Sequence, residues 1–128
     1  MDKSGVLFFG LLTPCSIVCW NSATEYSPNN IDTIVHNHET LQFPSGVKIV
    51  NNMEGQQELW VISCRLQKLM TGTMNTNEVN FRIQAGKVKR LLQGTKCDRP
   101  NGATSYQNNF VGGKAPLGTI SNYGGSRY

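Results

Sequence analysis

An all-β fold is predicted for this chain of 128 residues by three features of its sequence. Residues 47–50 and 59–64 are rich in β-formers and flank a polar turn, 51–57, whose one apolar side chain is Met53; that pattern is an antiparallel hairpin. Residues 79–83 alternate, with Val79, Phe81 and Ile83 on one face and Asn80 and Arg82 on the other, as in a half-buried strand. The one helix-like spacing, Leu66, Leu69 and Met70, is too short for more than a single turn, and Gly72 with Asn75 and Asn77 makes the rest of 66–76 a long loop. The hairpin opens on Pro44-Ser-Gly46 and carries Trp60 early in its second strand. Blades of β-propellers begin in this way. A lone hairpin cannot bury a Trp, so similar neighbours are expected around it.

Several blocks also resemble the C-terminal signature of the insect yellow/major royal jelly protein family. They are Leu41-Gln-Phe-Pro-Ser-Gly46, Glu58-Leu-Trp-Val-Ile-Ser63, Arg65-Leu-Gln67 and Gly72-Thr-Met-Asn-Thr-Asn-Glu-Val-Asn-Phe-Arg-Ile83. Upstream, Gly5-Val-Leu-Phe-Phe-Gly-Leu11, Cys19-Trp-Asn21 and Tyr26-Ser-Pro-Asn-Asn30 are similar to it in the same order. The resemblance covers residues 1 to about 97. It implies a secreted, six-bladed β-propeller several times longer than this chain, with residues 1–97 as its last one and a half to two blades. The missing N-terminal blades and the secretory signal are then expected upstream, with Met1 internal to the parent. Cys19 and Cys97 both fall in matching blocks, so the resemblance implies a bridge between them. Cys64 departs from the family, which commonly has Asn after that Ser; Cys15 and Cys64 either pair or stay free.

By the same resemblance, residues 5–12 form the second strand of a blade and 16–21 the third. Both faces of the first are apolar, Val6 and Phe8 against Leu7 and Phe9, as for a blade packed between two others. The competing reading of the opening is a signal peptide, but Asp2 offsets Lys3, and Gly10, Thr13 and Pro14 interrupt the apolar run. Residues 22–32 read as a loop around Pro28-Asn-Asn30, and 31–37 as a wet outer strand. After the hairpin and 79–83, residues 87–92 read as a fourth strand. Residues 98–128 are dominated by Gly, Asn, Ser, Thr and Tyr, show no period, and are expected to be a flexible tail.

The net charge of +4 is unevenly placed. Residues 1–60 hold two lysines against six carboxylates, a balance of −4, while 61–128 hold ten basic residues against Glu78 and Asp98, a balance of +8. The cluster Lys87, Lys89, Arg90, Lys96 has no interleaved aromatics, so no nucleic-acid partner is expected. No stretch is long enough to span a membrane. Cys15 and Cys19 with His36 and His38 lack the spacing of a zinc module, so neither a metal nor a cofactor is predicted. No Ser or Cys stands in a nucleophile motif, no phosphate loop is present, and no catalytic residue is named.

A ligand site is expected instead where the chain runs into an innermost strand, at residues 38–44, because propeller ligands sit at the channel mouth. The candidate binding residues are Thr40, Leu41 and Phe43. An aromatic face at Phe43 and acceptors around Thr40 suit a small aromatic amine or catecholamine, through stacking and cation–π attraction. Trp20 and Trp60 read as core. The resemblance adds amine binding or a role in pigmentation and cuticle chemistry. Its alternatives are a fragment of a dopachrome-converting enzyme, or a nutritive or structural secreted protein.

Overall fold

The computed structural model describes residues 1–98 and 121–123, which build two antiparallel sheets. The first has β1 (Val6–Leu11), β2 (Ser16–Asn21) and β3 (Ile31–His36) in that order. The second has β4 (Pro44–Asn51), β5 (Gln57–Cys64), β6 (Phe81–Lys87) and β7 (Ser121–Tyr123). Each strand pairs with its sequence neighbour inside its sheet, as in the up-and-down blades of a propeller. Two five-residue helices, α1 (Leu66–Met70) and α2 (Val88–Leu92), and a 3-10 turn at Pro28–Asn30 complete the elements among the described residues.

The core lies between the sheets. Val6, Phe8, Ile17, Cys19 and Ile34 meet Leu59 and Val61, with Leu41 from the intervening turn. A shift of register between Ile17 and Val18 lets Ile17, Val18 and Cys19 all stay buried where strict alternation would expose one. The sheets touch closely at Gly10 of β1, where a Cβ would come within 2.6 Å of the Pro44 side chain. Leu7 and Phe9, on the other face of β1, remain half-buried.

Cys97 returns to β2 and is disulfide-bonded to Cys19, closing a sequence separation of 78. Asn21 reinforces that return by donating from Nδ2 to the Cys97 carbonyl at 3.3 Å, and Lys96 N donates to Asp32 at 3.0 Å. Cys15 and Cys64 are free thiols, both half-buried.

Four sequence expectations are corrected. Residues 88–92 are helical: Val88, Leu91 and Leu92 recur at helical spacing and all three are buried against the core. The strand expected at 79–83 begins at Phe81, and its apolar face points out of the core. Pairing of Ile62 with Ile83 and Cys64 with Phe81 sets that face, because register and not alternation decides which side is covered. Val79, Phe81 and Ile83 are 48%, 61% and 44% exposed, while Gln84 is buried. Trp20 and Trp60 are half-buried and outside the core cluster; the Trp20 ring stacks edge-on against Tyr26. Finally, α1 is slightly longer than the single turn expected. Of the stretch expected to be a tail, Asp98 and β7 are described and the remainder lies outside the described residues.

Candidate functional site at the turn between the sheets

Residues 37–43 carry the chain from β3 to β4. The Asn37 side chain shapes the turn, accepting hydrogen bonds from the backbone N–H of Glu39 and of Thr40, each at 2.9 Å. Leu41 N–H closes it on the Asn37 carbonyl at 3.0 Å. The second sheet holds the turn at two points. Ser63 Oγ donates to the Thr40 carbonyl, and Cys64 N–H donates to the Phe43 carbonyl. The Cys15 thiol lies against the Gln42 carbonyl, and the His36 and His38 rings meet edge to face at 4.5 Å.

These contacts place the three candidate binding residues in different surroundings. Thr40 lines a narrow cleft with Glu39, Gln42, Ser63, Arg65, Asn80 and Arg82. Leu41 is fully buried in the core and supports the turn from beneath. Phe43 is half-buried and outside that cleft. The Thr40 and Phe43 carbonyls are already engaged as acceptors, so an incoming ammonium would need a different partner. The cleft is too narrow for a water molecule.

Charge at this end comes from residues that the sequence reading did not single out. Glu39 is 74% exposed and sits 3.7 Å from Arg82. Arg65 and Lys68 both pair with Glu78. The hydrogen-bonded Lys68 ammonium, with Arg65 beside it, holds the Glu78 carboxyl below the usual carboxylate range. Arg65 Nε and Asn80 Oδ1, both at the cleft, are buried without a partner among the described residues. A buried donor and a buried acceptor left unpaired at one cleft give it unspent hydrogen-bonding capacity. The polar alternation Asn80, Arg82, Gln84 was the available sign of this wall, since Arg82 and Gln84 share one face of β6 and Asn80 immediately precedes the strand. No group of three or more metal-ligating side chains occurs among the described residues.

Stacked antiparallel meanders, joined at the turn that leads into the first strand of the next sheet, define part of a β-propeller. The family model for Major royal jelly protein matches residues 1–97. Major royal jelly protein 9 of Apis mellifera is 36% identical over 107 residues, covering 78% of this chain and 25% of the relative. Major royal jelly protein 6 of the same species is 34% identical over 119 residues, covering 86% and 27%. Protein yellow of Drosophila madeirensis is 31% identical over 103 residues, covering 80% and 17%. The chain belongs to the major royal jelly protein family. It spans about a quarter of the length of the royal jelly proteins it matches.

Proposed function

We propose that this chain is part of a secreted, ring-shaped binding protein whose 38–44 turn takes a small aromatic amine or catecholamine at the channel mouth. Secretion is supported by family membership and by the Cys19–Cys97 bridge, which suits an oxidising compartment. The observation that carries the amine reading is Glu39. Its side chain is 74% exposed and its one ion pair among the described residues is a long contact of 3.7 Å to Arg82, so an ammonium group can displace that partner at little cost. Thr40 and Phe43 follow in the same turn and supply a hydroxyl and an aromatic face. The remaining blades would supply the opposite wall, and through it the choice of amine and any role in pigmentation.

The test is calorimetry of the polypeptide that carries this segment with its remaining blades, titrated with dopamine and with serotonin. Binding weakened by both Glu39→Gln and Phe43→Ala supports the reading. Unchanged affinity in both variants overturns it. Turnover of dopachrome by the same preparation, lost in neither variant, would place catalysis elsewhere in the ring and favour the enzymatic alternative.

A further inference from the structure

At the other end of the strands, beyond the 51–57 turn, a groove of about 1030 Å³ opens between the N-terminal residues and α2. Lys3, Lys87, Lys89 and Arg90 line it, and all four are exposed. None of the four is in an ion pair among the described residues. Helical geometry gathers three of them. Burial of Val88, Leu91 and Leu92 turns Lys89 and Arg90 outward beside Lys87, whereas a strand would have split the three between two faces. Two carboxylates also line the groove, Asp2 and Asp98. Asp2 is buried and its Oδ1 already accepts from the N–H groups of Ser4 and Val6 at 2.9 and 2.8 Å. The Gln57 side chain crosses to the backbone N–H of Lys3 at 2.9 Å and fixes one side of the groove to the hairpin.

Residues 99–128 contain Arg99, Lys114 and Arg127 and no Asp or Glu. We propose that the groove between residues 2–4 and α2 docks an acidic peptide segment of another protein, with Lys3, Lys87, Lys89 and Arg90 meeting its carboxylates. A peptide fits better than a nucleic acid or a glycan for two reasons. Among the described residues the lining has no aromatic ring on which a base or sugar would stack. Val88 and Leu92 provide apolar floor, and Gln56 and Gln93 provide amides that can pair with peptide backbone. This inference is independent of the amine reading.

Fluorescence anisotropy of the 128-residue chain with a short labelled peptide of repeated Glu-Glu-Leu tests it, with heparin and single-stranded DNA as competitors. The expected result is peptide binding that weakens with salt and falls about tenfold or more in Lys87→Glu/Lys89→Glu/Arg90→Glu. Lys48→Glu, an exposed charge reversal on β4, should leave it unchanged. Lys89→Gln alone should give a smaller loss in the same direction, which covers the case of a triple variant that does not fold. Absence of peptide binding overturns the proposal. So does an equal loss in Lys48→Glu, which would reduce the effect to net charge. Tighter binding of heparin or DNA than of the peptide also overturns it and assigns the groove to that polyanion.

Discussion

The two faces of the second sheet share strands and register but have opposite surroundings. On the inner face, Leu59 and Val61 are 1% exposed against the first sheet. On the outer face of β5 and the adjacent β6, Ile62, Phe81 and Ile83 are 45%, 61% and 44% exposed. Side-chain chemistry does not separate the two sets, since both are aliphatic or aromatic. The difference is whether another sheet lies over them, and among the described residues the inner face alone has one. A contiguous apolar patch on a sheet face marks an interaction surface. In a ring of blades that surface meets the next blade.

Removing the covalent tie of the covered side should have the largest effect. Cys19→Ser with Cys97→Ser opens a loop with a sequence separation of 78, and the chain-entropy model puts the loss at about 4.5 kcal/mol. Denaturant unfolding of the oxidised chain against the double variant measures it. Leu59→Ala on the inner face should cost about 2–5 kcal/mol through lost burial and a residual cavity. Gly10→Ala, which drives a methyl into Pro44 where the sheets touch, should cost about 1–3 kcal/mol as overpacking, seen as a lower melting temperature. Ile83→Ala on the outer face should change stability by only about 0.5 kcal/mol. A loss matching that of Leu59→Ala would erase the distinction between the faces.

The smallest effect is that of pH at Glu78. Its folded pKa is depressed by Lys68 and Arg65, so its contribution is present above the ordinary value of 4.5 and is lost as pH falls through the lower folded value. Because the carboxylate is exposed and screened, the loss should be barely resolved in thermal melts run downward from neutral pH, and absent in Glu78→Gln.

Much of the fold was legible because it is local. The hairpin of β4 and β5 shows in two β-rich runs and a polar turn, and β1 and β2 show in blocks that match the family. The exposure of Phe81 and Ile83 was not legible, because alternation gives two faces without saying which is covered. Pairing with Ile62 and Cys64, distant in sequence from β6, makes that choice. Residues 87–92 misled for a related reason: in so short a run Val88, Leu91 and Leu92 fit a buried strand or a helix turn equally well. At the turn between the sheets, Thr40 and Phe43 could be named from the sequence. Glu39, Arg65, Asn80 and Arg82 come together only once β6 is laid beside β5.

The outer face of the second sheet is tested most directly by sedimentation velocity of the 128-residue chain across a concentration series. Reversible or irreversible self-association that rises with concentration is predicted, together with its loss in Ile62→Ser/Phe81→Ser/Ile83→Ser at unchanged far-ultraviolet circular dichroism. A chain that sediments as a monomer at every concentration, indistinguishable from that triple variant, would contradict it.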